Sequence, residues 1–170
     1  MIKLSIHVMS QVTLQRLAAV PFDEGTFVVS IVDTDAQPVR LINAPAGIVR
    51  LSFDDIYPVG HPLFEMYGDY EDDAYAVLSE TFSPMSEKQA ARVAQFVMEN
   101  LPRMRTLMCQ CHYGQSRSAG VAAAVSEWLY GNGSRFFNDE RYCPNQHVYQ
   151  LVLSALQHID TQTPEDGDVV

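Results

Sequence analysis

Apolar and polar positions alternate through MIKLSIHVMS at the start of the chain. An alternation of period two marks a half-buried strand, here over residues 2–9. Ser10 then offers a side-chain cap for a helix reaching about Val20, with Val12, Leu14 and Leu17 as its apolar residues. The pattern changes at FVVSIVD, residues 27–33. A continuous apolar run of that length suits a strand buried on both faces of a parallel sheet. Further strands are predicted over residues 39–42 and 48–53, with Pro38 and the stretch 44–47 as punctuation. Helical spacing returns after Ser83-Pro84, because proline in a first helical position loses no needed hydrogen bond. Ala90, Val93, Ala94 and Val97 make the inner face of that helix, which runs to about Asn100 and ends before Pro102. Residues 106–110 read as a strand, 111–117 as a loop, and 118–130 as a helix stopped by Gly131 and Gly133. Pro144-Asn145 opens a last helix to about Ile159, with Val148, Leu151, Val152, Ala155 and Leu156 inward.

Two stretches escape these periods. Residues 57–82 carry Tyr67, Tyr70 and Tyr75 among many acids, with a short helix suggested near 72–78. Residues 161–170 are polar and acidic and are expected to be disordered. What remains alternates strand with helix across residues 1–160. The expected fold class is therefore a single α/β domain, a central, mostly parallel sheet flanked by helices. A length of 170 residues and a hydrophobic content of 47% agree with one core rather than two.

Charge narrows the function classes. The formal net charge is −10, with 11 basic residues against 21 acidic ones. Such a chain repels phosphate backbones and anionic bilayers, so nucleic-acid binding and polybasic membrane docking are disfavoured. An anionic substrate must then be met by a few placed groups. The 3 cysteines, Cys109, Cys111 and Cys143, are too few for a disulfide framework. The N-terminus does not read as a signal peptide, and no apolar stretch approaches a membrane span. A reducing cytoplasm is the expected location.

The chemistry concentrates in RTLMCQCHYGQSRSAGVAAAV, which gives a strand, Cys111, five residues, Arg117-Ser118 and a helix. Loop N–H groups just before a helix N-terminus make an anion site, helped by the helix dipole. Gly114 permits a tight turn with the backbone close to a ligand. Arg117 supplies a planar fork for two phosphate oxygens, and a cation there is unfavourable with the dipole unless an anion is bound. Cys111 sits in the same positive field, which favours the thiolate, the nucleophilic form. A bare Cys-x5-Arg is unremarkable among 3 cysteines and nine arginines. The strand before it, the glycine inside it, the serines on both sides of the arginine and the helix after it are a far more demanding pattern.

Cys111-His112-Tyr113-Gly114-Gln115-Ser116-Arg117-Ser118 resembles the signature loop of the protein tyrosine phosphatase superfamily, in its small dual-specificity branch, with compact bacterial and phage versions nearest. Pro144-Asn145 is similar to the start of that branch's final helix, where the Asn braces the phosphate loop. Leu51-Ser52-Phe53-Asp54-Asp55-Ile56 resembles the strand end that carries the general acid, which makes Asp55 the acid and Asp54 its neighbour. The resemblance implies attack by Cys111 to form a phosphocysteine. Proton transfer falls to Asp55, phosphoryl binding to Arg117 and residues 112–116, and thiolate release to Ser118. No metal or cofactor enters this scheme. The implied substrates are phosphorylated proteins or peptides, carrying phosphotyrosine and, as further candidates, phosphoserine or phosphothreonine. Phosphoinositide members usually carry Lys in this loop, and this one has none.

The chain departs from the pattern twice. Gln110 precedes the nucleophile where the family usually has His; Gln keeps a donor, so weaker tuning of the thiol is expected. Asp55 lies 56 positions before Cys111, a longer gap than the resemblance implies. The excess maps onto 57–82, read as an insertion able to serve as a lid and as a source of rival acids in Asp69, Asp72 and Asp73. These departures keep open a catalytically weak or inactive phosphate-recognition module. RNA 5′-triphosphatase activity and rhodanese-like or arsenate-reductase chemistry also stay open. Plainer readings remain for single residues: Asp55 as a turn cap, Trp128 and Phe96 as core. Cys109 is either core or a protective disulfide partner on the same strand face as Cys111. A zinc set of Cys109, Cys111, Cys143 and His147 matches no standard spacing.

Overall fold

The computed structural model describes residues 3–57 and 82–162. Four strands and five helices follow one another among the described residues. They are β1 (Ser5–Ser10), α1 (Gln11–Leu17), β2 (Thr26–Val32), β3 (Gly47–Ser52), α2 (Glu87–Asn100), β4 (Thr106–Cys111), α3 (Arg117–Tyr130), α4 (Ser134–Phe137) and α5 (Gln146–Gln162). The sheet runs β1-β4-β2-β3 with every pair parallel. β2 is buried at all seven positions, as its unbroken apolar run predicts. Its alternate residues Phe27, Val29 and Ile31 join the larger core with α2, α3 and α5, while Val28 joins Met9 and Leu14 of α1 on the opposite face. The layers are helices on both sides of a parallel sheet, the expected fold class.

A parallel sheet brings all its strand C-termini to one edge, the edge where ligands bind in such folds. Here β4 ends in Cys111, β2 runs into Asp33, β3 runs into Phe53, Asp54 and Asp55, and β1 runs into α1. Ser10 caps α1 by accepting the Thr13 N–H at 3.2 Å. α3 ends at Gly131 in the left-handed region, φ 60°.

Several boundaries differ from the sequence reading. Residues 39–42 form no strand: the Val39 carbonyl is taken by the Arg50 guanidinium at 2.8 Å, and Ile42 is exposed. α1 stops at Leu17, where Asn43 takes up the Ala18 carbonyl, and of its three apolar residues only Leu14 is buried. α2 starts at Glu87 rather than at Pro84. Ser83 is tied both ways to Asp54, which keeps the chain extended until Ser86 and Gln89 form a capping box. α3 begins one residue earlier, at Arg117, and α4 has no counterpart in the sequence reading. α5 runs through Gln162, so the expected disordered tail begins inside a helix, and its remainder lies outside the described residues. Positions 58–81 of the expected 57–82 insertion, with the helix near 72–78, also lie outside them. Among the described residues no helix is long and apolar enough to cross a membrane.

Two residues lock the functional edge. Asp54 is buried and accepts from the Thr34 N–H at 3.0 Å, the Thr34 hydroxyl at 2.8 Å and the Ser83 N–H at 2.7 Å. Burial pushes its carboxyl up, but those donors and the nearby Arg117 guanidinium together hold it below its ordinary range. Gly114 has φ 68°, and a Cβ there would lie 2.3 Å from the Met9 backbone carbon. The loop after β4 is thus seated against the β1–α1 junction with no room for a side chain.

Two consequences can be measured. A carboxylate held low contributes stability above its unfolded value and loses it as pH falls through the folded one. Asp54→Asn should therefore cost about 2 kcal/mol in urea unfolding at neutral pH. The difference should shrink in strong acid, and a pH-independent difference would contradict this account. Gly114→Ala combines a left-handed φ with a clash against fixed backbone and should cost more than about 2 kcal/mol in the same assay.

Candidate active site

Three carbonyls of the loop from Cys111 to Arg117 are taken by N–H groups outside it. The His112 carbonyl accepts the Gln11 N–H at 3.2 Å, and the Gln115 carbonyl the Cys143 N–H at 2.9 Å. The Ser116 carbonyl accepts both the Asn145 N–H at 3.1 Å and the Gly120 N–H at 2.9 Å. Among the described residues, no acceptor takes up the N–H groups of His112 through Ser116. A row of free N–H groups running into the N-terminus of α3 is the arrangement by which backbone can receive an anion.

Arg117 opens α3 and is 4% exposed. Its Nη1 donates to the Phe53 carbonyl at 2.6 Å and pairs with Asp33 Oδ1 at 2.8 Å. Its Nε is buried with no partner among the described residues. Buried polar groups are almost always satisfied, so an orphan donor on a cation marks a place for an anion. Cys111 Sγ lies 3.0 Å from the Ser118 hydroxyl, with both residues buried.

Asp55 reaches the same loop. Its Oδ1 accepts the Ser116 hydroxyl at 2.7 Å and Asn145 Nδ2 at 2.9 Å. Asn145 also caps α5, its Oδ1 accepting the Val148 N–H at 3.1 Å. One buried amide thus joins loop, carboxylate and last helix. α3 approaches it closely because Gly120 has no side chain: a Cβ would fall 2.7 Å from the Asn145 carbonyl oxygen. The sequence-predicted residues Cys111, Arg117, Ser118, Asp55 and Asn145 are therefore brought together.

Others fall differently. Ser116, expected to face substrate, spends its hydroxyl on Asp55. His112, Tyr113 and Gln115 are exposed on the loop, the first two rings meeting edge to face at 4.5 Å. The Gln110 side chain bonds no residue of the loop among the described residues. Strand alternation turns it to the opposite face from Cys111, where it accepts the Ser30 hydroxyl at 2.7 Å and donates to the Ile31 carbonyl at 3.3 Å. It ties β4 to β2 instead. Asp54 lies beside Asp55 as a structural carboxylate. Cys109 is fully buried on the same face as Cys111, a free thiol raised by burial and by the neighbouring Cys111 charge. Among the described residues no three His, Cys, Asp or Glu side chains gather as a metal site. Asp33 and the Phe53 carbonyl, which hold Arg117, were missed in the sequence reading. The available signal was position, since both follow strands that end at the carboxyl edge of the sheet.

No protein-family model and no curated protein matches the sequence. Solved structures are similar in fold at low identity. Tk-PTP in its active form matches at 13% identity and a TM-score of 0.52, over 93% of this chain and 95% of that one. PTPMT1 in complex with PI(5)P matches at 13% identity and a TM-score of 0.53, over 96% and 97%. With the strand order, the loop and its arginine in place, this chain has the protein tyrosine phosphatase fold.

Proposed function

We propose that the protein hydrolyses phosphomonoesters through a phosphocysteine, acting on phosphotyrosine in proteins or peptides, with phosphoserine and phosphothreonine as further substrates. The observation that carries this reading is the buried, unpartnered Nε of Arg117 beside a loop of free N–H groups that starts at Cys111. A tetrahedral dianion satisfies both at once. In the first step the Cys111 thiolate forms a bond to phosphorus as the ester P–O bond breaks, and Asp55 gives its proton to the leaving oxygen. In the second step water attacks phosphorus, Asp55 takes its proton, and the S–P bond breaks. The Ser118 hydroxyl, 3.0 Å from Sγ, donates to the departing thiolate. Arg117 and the loop N–H groups hold the equatorial oxygens, where transition-state charge lies.

Protein substrates are favoured over lipids by the loop and by the whole chain. Residues 112–116 hold no Lys or Arg to meet further phosphates, and a net charge of −10 opposes an anionic bilayer. The intact set of nucleophile, clamp and carboxylate favours turnover over simple phosphate recognition.

Hydrolysis of 4-nitrophenyl phosphate in EDTA at mildly acid pH tests the reading. Wild type should turn over, and Cys111→Ser should lose about a thousandfold or more. Asp55→Asn should lose about a hundredfold or more. An inert wild type that still binds vanadate would instead establish a phosphate-recognition module. Among natural substrates, a phosphotyrosyl peptide should be cleaved faster than a phosphoinositide in vesicles, and the reverse order would refute the protein-substrate assignment.

A further inference from the structure

Ser116 occupies the N-cap of α3, where a serine ordinarily accepts an N–H from the first helical turn. It makes no such bond. Its hydroxyl donates instead to Asp55 Oδ1, 61 positions away, at 2.7 Å. Asn145 Nδ2 donates to that same oxygen at 2.9 Å. A carboxylate oxygen has two lone pairs, and both of those on Oδ1 are then taken. Any proton that Asp55 carries has to sit on Oδ2.

We propose that Ser116 is a positioning residue for proton transfer, fixing with Asn145 the plane of the Asp55 carboxyl and reserving Oδ2 for the transferred proton. The proposal rests on Asp55 being the acid of the reading above. Ser116 immediately precedes Arg117, so one peptide unit sets both the phosphoryl clamp and the acid. The acid is thereby referenced to the phosphate rather than to the strand that carries it. In the first step the Oδ2–H bond breaks as the leaving oxygen gains its hydrogen, and the P–O bonding pair stays on that oxygen. In the second step Oδ2 takes a proton from water as the new O–P bond forms and the S–P pair returns to sulfur. Oδ1 stays hydrogen-bonded throughout. Because the hydroxyl does not cap α3, its removal leaves that helix start without a lost bond.

Leaving-group dependence tests this. A good leaving group such as a difluorinated coumarin phenol needs little protonation, whereas phenol needs it. Ser116→Ala should lose at least about tenfold more rate on phenyl phosphate than on the coumarin ester, a milder copy of Asp55→Asn. Its affinity for vanadate, read by inhibition, should change by less than the phenyl phosphate rate. Ser116→Thr, which keeps the hydroxyl, should restore part of the selectivity. An equal loss on both esters, or a loss matched by vanadate affinity, overturns the positioning role and leaves the hydrolase reading standing. If Asp55→Asn shows no leaving-group selectivity while Cys111→Ser is dead, Asp55 is not the acid and both assignments fall. An inert wild type removes the hydrolase reading and this proposal with it.

Discussion

The site depends on a guanidinium that is buried but not fully satisfied. Arg117 has Nη1 fixed by the Phe53 carbonyl and Asp33, while Nε faces no acceptor among the described residues. Leaving a buried charged donor without a partner costs more than the roughly 1–3 kcal/mol of a neutral one, so the surroundings must hold it in place. They do so with three strand ends. β2 supplies Asp33, β3 supplies Phe53, and β4 delivers the loop whose backbone turns into α3. The parallel sheet matters to the chemistry because it brings those ends to one edge.

The loop from Cys111 to Arg117 was legible in the sequence because its requirements are local. Cys111, Gly114, Arg117 and Ser118 lie within one turn of chain, bounded by a strand and a helix that the hydrophobic pattern shows. Gly114 is needed for a backbone reason, and the structure gives that reason as the contact with Met9. The buried run of β2 and the inner face of α5 were equally plain, since burial marks the first as an unbroken apolar run and the second by its helical period.

What was not legible runs between distant positions. Asp33 and Arg117 are brought together by sheet order, which a linear pattern does not contain. Gln110 looked like a substitute for a loop-tuning histidine, yet strand alternation sends it to the opposite face, where Ser30 meets it. The α2 start was misplaced because Ser83-Pro84 is a sound local signal overridden by a tertiary one, the bonds from Asp54. Residues 39–42 have strand-like composition but give a carbonyl to Arg50. At Ser83 a side chain far along the chain competed with a local preference and won.

Asn145 bears on when the site can exist during synthesis. It caps α5, donates to Asp55 and holds the Ser116 carbonyl, yet it lies near the end of the described chain. A domain generally folds as a unit once enough of its chain has emerged from the ribosome. Cys111 and Arg117 leave the ribosome before the residue that ties loop and carboxylate together. A nascent chain ending ahead of Asn145 would hold the Cys111 thiol without its finished surroundings. Emergence of the last helix is thus the event that turns a polypeptide with a cysteine into one with a site.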